Sequence, residues 1–201
     1  MSTAAALFWS RPHRVFDLDG TLIDTLPDLV DALDEALADL GLEPVGADVV
    51  RDSLHSGLEG SAAAALAALG APARHFPRLV ERYARRYAQA NGRRAAVYGG
   101  VRPLLDHIAR RGEHLAVCTN KPEALARELL LRTGLLPYFS AVVGADTCTQ
   151  RKPHPEPLLQ ALAQIDGGPT TGVLVGDSQH DVHCAQAAGA VARLVLVSLQ
   201  R

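Results

Sequence analysis

The stretch that decides the fold reads Val15-Phe16-Asp17-Leu18-Asp19-Gly20-Thr21-Leu22. Its first four residues form a short apolar run that contains one carboxylate, which is typical of a buried parallel strand. Gly20 predicts a turn directly after this strand, and a turn there can leave both Asp17 and Asp19 near a single site. The sequence therefore predicts a first strand that ends in a pair of acidic side chains.

Four further apolar runs of the same kind follow along the chain. The five predicted strands are Val15–Leu18, Leu115–Cys118, Ala141–Gly144, Val173–Gly176 and Leu194–Val197. Helical patterns separate most of them, and the last such pattern, Asp181 to Ala188, ends at Gly189. Strands that alternate with helices predict right-handed crossovers. The fold class is therefore α/β, with a Rossmann-like parallel sheet that carries helices on both faces.

The interval between residues 24 and 95 breaks this rhythm, because it contains helical patterns and no convincing strand. An apolar stripe at helical spacing runs from Leu26 to Leu40, and a second runs from Leu79 to Tyr87. Between them, Ser61 to Leu69 is rich in alanine, a strong helix former. We therefore predict two domains, an α/β core of residues 1–23 and 96–201 and an all-helical cap of residues 24–95.

Composition limits the class of protein. Hydrophobic residues make up 48% and charged residues 21% of the 201 residues, which is ordinary for a folded globular protein. The formal net charge of -2 offers no electrostatic basis for binding nucleic acid or an anionic membrane. Three scattered cysteines without CxxC spacing indicate reduced thiols, and the apolar stretch from Ala4 to Trp9 is too short for a membrane span. We expect a cytoplasmic protein.

Polar side chains lie where predicted strands end. Asp17 lies at the exit of the first strand, Thr119 follows the second, and Asp177 follows the fourth. Ligands bind at the carboxyl ends of strands in open parallel sheets, so we expect these three residues to converge. Lys152, held before a proline, would bring a compact positive charge to the same cavity. Carboxylate oxygens are the ligands that Mg²⁺ prefers, so the convergence predicts a magnesium site.

The chain carries four short motifs in a fixed order. They are Asp17-x-Asp19-Gly20-Thr21, Thr119, Lys152-Pro153, and Gly176-Asp177-Ser178-x-x-Asp181. In order and spacing they resemble the haloacid dehalogenase superfamily of phosphohydrolases, and the helical insert lies where that family carries its small cap. Within the superfamily, the segments Cys118 to Pro122 and Gln150 to Leu158 are similar to phosphoglycolate phosphatases.

The resemblance implies a role for each residue near the substrate. Asp17 would attack phosphorus in line and become an aspartyl-phosphate. Asp19 would protonate the leaving alkoxide and then activate the water that hydrolyses the intermediate. Thr119, Asn120 and Lys152 would bind the substrate, and Lys152 would also balance charge on Asp17 and on the transferring group.

The resemblance also implies a magnesium site. Asp17, the backbone carbonyl of Asp19, and Asp177 would hold Mg²⁺. Ser178 and Asp181 would support the metal site without touching the ion. A metal held in this way neutralises phosphate charge and lets an anionic nucleophile approach an anionic substrate.

The expected reaction is hydrolysis of a small phosphorylated metabolite, with 2-phosphoglycolate as the leading candidate. Other sugar-phosphate phosphatases share many of the residues in these motifs. A β-phosphoglucomutase-like phosphomutase is the nearest enzymatic alternative. A phosphoreceiver signalling domain also gathers Asp, Thr and Lys at strand ends, but it lacks the Asp-x-Asp spacing and the helical insert. We expect a monomer or a homodimer.

Overall fold

The computed structural model describes residues 10–194, apart from the side chain of His55. These residues divide into two compact units, which we call the core unit (10–23 and 97–194) and the helical unit (Asp24–Ala96). The sequence placed the corresponding limits at residues 23, 24, 95 and 96, so the observed division differs by one residue at the second crossing.

The core unit is built on a parallel sheet. The strands in chain order are β1 (His13–Phe16), β2 (Ile23–Asp24), β3 (Ala96–Val97), β4 (Leu115–Cys118), β5 (Ala141–Val143), β6 (Gly172–Gly176) and β7 (Val191–Leu194). Five of them form one sheet in the order β5-β4-β1-β6-β7, and every neighbouring pair is parallel. The remaining two, β2 and β3, pair separately where the chain passes between the units. The predicted α/β fold with a parallel sheet is confirmed.

Two strands lie earlier in the chain than the sequence predicts. β1 begins at His13 and ends at Phe16, which leaves Asp17 directly after the strand. The backbone turns here because the carbonyl of Leu18 accepts bonds from the N–H groups of Leu22 and Ile23, at 3.0 and 3.2 Å. β7 begins at Val191 and ends at Leu194, so the predicted start of the last strand at Leu194 is wrong. Residues 195–197 of the predicted strand lie outside the described part of the chain.

Helices are the other main elements of both units. In the described residues the α-helices are α1 (Leu26–Ala38), α2 (Ala47–Ser53), α3 (Gly57–Ala68), α4 (Phe76–Ala90), α5 (Val101–Ala109), α6 (Glu123–Arg132), α7 (Glu156–Ala163) and α8 (Gln179–Ala188). The helical unit contains α1 to α4, and the core unit contains α5 to α8. The sequence did not predict α2, because this seven-residue helix buries Val50 and Ser53 alone and shows no apolar stripe.

The helical unit has its own apolar interior. α1 packs against α4, and the buried side chains include Leu33 from the first and Leu79 and Tyr83 from the second. The Arg86 guanidinium donates hydrogen bonds to both carboxylate oxygens of Asp39, at 2.9 and 3.0 Å. These bonds hold the pKa of Asp39 below its usual range. The C-terminal end of α1 is therefore joined to α4 by an ion pair as well as by packing.

The interior of the core unit follows the alternation of the strands. Val15 and Leu174 face a cluster that includes Leu162 of α7 and Cys184 of α8, all almost completely buried. Neighbouring strand residues point to the opposite face, where the ring of Phe16 meets another phenylalanine ring edge-on. Both sheet faces are thus covered, as a parallel sheet requires. Within the described residues, no helix has the length and apolar character needed to cross a membrane.

Neighbouring leucines on α7 test the packing of this cluster. Leu162 is completely buried in the cluster, whereas Leu159 is 39% exposed. We expect Leu162→Ala to lower the free energy of unfolding by about 2–5 kcal/mol, because it leaves a cavity between helix and sheet. Leu159→Ala should lower it by no more than about 0.5 kcal/mol. Urea denaturation followed by circular dichroism measures both, and equal losses would contradict the packing.

Candidate active site

The predicted site residues lie at the carboxyl edge of the sheet. β1 is the central strand, with β4 on one side and β6 on the other. Asp17 directly follows β1, Thr119 follows β4, and Asp177 follows β6. The chain passes from β1 to β4 and β5 on one side and then to β6 on the other, which is the switch point at which such sheets bind ligands.

A buried lysine joins two carboxylates at this edge. The Nζ atom of Lys152 lies 2.8 Å from Oδ1 of Asp17 and donates to Oδ1 of Asp181 at 2.6 Å. All three side chains are buried. An unpaired buried charge is strongly destabilising, so this ammonium and the two carboxylates depend on one another.

Burial and pairing shift the pKa values of these three groups in different directions. Burial raises the pKa of Asp17 to about 8, opposed by Lys152 and assisted by the negative charges of Asp181 and Asp177. Burial acts to lower the pKa of Lys152, but the two carboxylates outweigh it and raise that pKa. Burial opposes ionisation of Asp181 as well, but Lys152 and Ser178 hold its pKa below the usual range. Asp17 is therefore the carboxylate whose charge is most costly without a further cation.

Both oxygens of Asp181 are occupied by protein donors. Oδ1 accepts from Lys152, and Oδ2 accepts from the backbone N–H and the hydroxyl of Ser178, at 3.1 and 2.6 Å. Ser178 in turn accepts from the backbone N–H of Asp181, which completes a capping box at the start of α8. A Cβ at Gly176 would lie 2.3 Å from Cγ of Asp181, so only glycine fits there. This carboxylate thus anchors Lys152.

The loop after β1 is joined to the loop after β6. The hydroxyl of Thr21 donates to Oδ1 of Asp177 at 2.8 Å. Gly20 has a φ of +81°, and a Cβ there would lie 2.3 Å from Oδ2 of Asp177. The glycine is required for both reasons, since other residues avoid this backbone conformation and would also collide with the carboxylate.

Three carboxylates are close enough to share a cation. One oxygen from each of Asp17, Asp177 and Asp181 lies within 4.8 Å of the others. A hard divalent cation prefers such oxygen ligands, and its charge would oppose the burial and the neighbouring carboxylates that together raise the pKa of Asp17. Both oxygens of Asp181 already accept from protein donors, so Asp17 and Asp177 are the part of this set that is compatible with a divalent metal.

The side-chain amide of Asn120 is bonded to the backbone of Lys152. Its Nδ2 donates to the backbone carbonyl of Lys152, and its Oδ1 accepts from the backbone N–H of the same residue, both at 3.0 Å. The side-chain amide thus satisfies both backbone polar groups of Lys152, as a paired strand would. The sequence predicts that Asn120 binds substrate, and in the structure its amide holds the backbone of Lys152.

Sequence reasoning gave no role to two further residues at the site. Thr21 bonds to Asp177, and the buried Lys121 donates from Nζ to Oδ1 of Asp19 at 3.2 Å. Thr119, also buried, accepts a bond on its hydroxyl oxygen from the backbone N–H of Lys121. The sequence contains one indication that Lys121 belongs to the site, because Lys121 precedes a proline as Lys152 does.

Comparison with known proteins identifies the class. The model of the family described as haloacid dehalogenase-like hydrolase matches residues 14–195. A phosphoglycolate phosphatase of Cupriavidus necator is 42% identical over 87% of this chain and 76% of its own length. One from Rhodospirillum rubrum is 41% identical over 87% of this chain and 75% of its own. A crystal structure described as a predicted phosphoglycolate phosphatase from Haemophilus somnus superposes with a TM-score of 0.83 at 27% identity, covering 91% of this chain and 84% of that one.

The chain belongs to the haloacid dehalogenase-like hydrolase family. Within that family it is similar to enzymes named phosphoglycolate phosphatase. The predicted family and the predicted hydrolase resembling phosphoglycolate phosphatases are both confirmed.

The contact between Gly20 and Asp177 can be tested with a matched pair of glycines. Gly20 and Gly112 both have positive φ, but a Cβ at Gly112 would have no atom within 4 Å. Both alanine variants carry the backbone cost of roughly 1–2 kcal/mol. We expect Gly20→Ala alone to lower hydrolase activity, by roughly 100-fold, because it displaces Asp177. Initial rates measure the difference, and equal rates would contradict the role of this contact.

Proposed function

We propose that this protein is a Mg²⁺-dependent phosphatase that hydrolyses a small phosphomonoester, with 2-phosphoglycolate favoured, through a phosphorylated Asp17. The observation that carries the proposal is the buried Asp17 carboxylate at the end of the central strand, 2.8 Å from the Lys152 ammonium. The names of relatives that are 42% and 41% identical support the substrate.

In the first half-reaction, an oxygen of Asp17 attacks phosphorus and the bond from phosphorus to the substrate's alkyl oxygen breaks. Asp19 in its acid form gives its proton to the leaving oxygen, so the product departs as an alcohol. Lys152 lies beside the Asp17 carboxylate, where it stabilises negative charge on the transferring group. Thr119, at the end of β4, supplies a hydroxyl donor for a phosphoryl oxygen.

In the second half-reaction, water attacks the phosphorus of the aspartyl-phosphate. Asp19, now a carboxylate, takes the proton from that water. The bond between phosphorus and the Asp17 oxygen breaks, which releases inorganic phosphate and restores the carboxylate. The two carboxylates thus divide nucleophilic and acid–base work between them.

The residues that would hold Mg²⁺ are Asp17, the backbone carbonyl of Asp19, and Asp177. When bound, the ion neutralises negative charge on the phosphate and on the nucleophile. Thr21 orients Asp177 by its hydrogen bond, and Asp181 supports the site through Lys152.

The proposal includes the cytoplasm as the place of action. All three cysteines are free thiols, which fits a reducing compartment. A net charge of -2 gives no basis for a nucleic-acid partner, so the proposed partner is a small phosphorylated metabolite.

The nucleophile can be tested by removing its charge. We expect Asp17→Asn to lower kcat for phosphate release at least about 1000-fold, because an amide cannot capture the phosphoryl group. Asp166→Asn makes the same chemical change at an exposed position of the core unit and should leave kcat unchanged. Circular dichroism checks that both variants fold, and near-normal turnover by Asp17→Asn would refute the assignment.

Metal dependence and substrate class can be tested in one assay. Chelation with EDTA should lower phosphate release by more than about 100-fold, and added Mg²⁺ should restore it. A panel of phosphomonoesters should give the highest kcat/KM for 2-phosphoglycolate. Conversion of a sugar 1-phosphate to its 6-phosphate without release of phosphate would identify a phosphomutase instead.

A further inference from the structure

The chain uses lysine at only two positions. Its Lys and Arg residues number 20, and only Lys121 and Lys152 are lysines. Both precede a proline, and they are only 5% and 3% exposed. An ammonium is a compact point charge, whereas a guanidinium is a broad planar group, so the two are not equivalent in a confined site. Both lysines therefore occupy positions where a small cation is buried beside the candidate active site.

The proposed function uses Lys152 but leaves Lys121 without a role. Lys121 contacts the residue proposed as the acid and base, since its Nζ lies 3.2 Å from Oδ1 of Asp19. The lysine side chain is 2% exposed, and that of Asp19 is 20% exposed. The ion pair is therefore buried on the lysine side and partly open on the carboxylate side.

The backbone of Lys121 is held from two directions. Its N–H donates to the hydroxyl oxygen of Thr119 at 3.2 Å, and its carbonyl accepts from the N–H of Ala145 at 3.0 Å. A Cβ at Gly144 would lie 2.8 Å from that carbonyl oxygen and 2.3 Å from the backbone nitrogen of Glu123. The loops after β4 and β5 therefore touch through their backbones, and the lysine side chain begins at a fixed point.

We propose that Lys121 is a positioning residue that holds the Asp19 carboxylate in the orientation required for proton transfer. This inference rests on the proposed function, because it assigns Asp19 its acid–base work. Lys121 binds Oδ1, and the described residues form no second hydrogen bond to the Asp19 side chain. The other oxygen is thus left to meet the leaving group first and the attacking water second.

A different use of Lys121 would give different kinetics. If its ammonium bound the substrate phosphate directly, its removal would weaken substrate binding whether or not Asp19 was present. If it acts through Asp19, its removal costs rate only where Asp19 has its carboxyl group. A double-mutant cycle separates the two cases.

The first variant is Lys121→Met, which keeps the length of the side chain and removes the charge. We expect kcat for 2-phosphoglycolate to fall about 30- to 100-fold, because general acid–base catalysis supplies about 100- to 10,000-fold and a misdirected carboxylate loses part of it. KM should change less than about threefold. The matched control is Arg132→Met, which removes a cation from an exposed ion pair with Glu128 and should leave both constants unchanged.

The second measurement repeats Lys121→Met in the Asp19→Asn background. The substrate for all four proteins of the cycle is 4-nitrophenyl phosphate, whose leaving group departs without an acid, so the comparison reports the step in which Asp19 takes a proton from water. Here we expect the added substitution to change the rate less than about threefold. A fall by the same factor in both backgrounds, or a large rise in KM, would overturn the proposal in favour of direct substrate binding.

Circular dichroism checks that the Lys121 variants fold, and two further comparisons separate the positioning role from the proposed function. Lys121→Arg keeps a positive charge beside Asp19 but places a broader group in a confined position, so its rate is expected to lie between those of Lys121→Met and the wild type. A wild-type rate in Lys121→Met would refute the positioning role while the wild-type enzyme remains a phosphatase. Absence of phosphate release by the wild type would instead refute the proposed function.

Discussion

The structure of the candidate site depends on the burial of one ammonium group between two carboxylates. Lys152 lies between Asp17 and Asp181, at 2.8 and 2.6 Å, and none of the three is exposed to bulk water. A buried ion pair is tolerated only when its geometry is good and its remaining polar atoms are satisfied. Asn120 supplies hydrogen bonds to the backbone of Lys152, and Ser178 supplies a hydrogen bond to the carboxylate of Asp181. The Asp17 carboxylate is therefore held by a charge whose own supports come from two other loops.

These supports connect the loops of the sheet edge into one network. The loop after β1 is bonded to the loop after β6 by Thr21 and Asp177, and to the loop after β4 by Asp19 and Lys121. The loop after β4 is bonded through Asn120 to the loop that carries the second lysine. Residues in such a shared network act on one another, so the effects of single substitutions are not expected to add.

Much of this arrangement could be predicted from the sequence. Buried parallel strands appear as short apolar runs, and the polar residue that follows each run must lie at the same edge as the others. For this reason the α/β fold and the meeting of Asp17 with Asp177 followed from the pattern alone. Prediction was weaker where the pattern is short. The seven residues of α2 bury only two side chains, and β1 starts at His13, which is not an apolar residue.

The sequence by itself determined most of the elements, the class of fold, the family, and the list of chemical groups that follow the strands. It did so because periodicity and local motifs are written along the chain. Only the tertiary structure decided which charges pair, since Lys121 and Asp19 are 102 positions apart and no local pattern links them. The same is true of Asn120, whose amide could as well have met a ligand as the backbone of the lysine loop. Such pairings depend on the distance between loops and on burial, and both arise when the sheet brings separate segments of the chain to one edge.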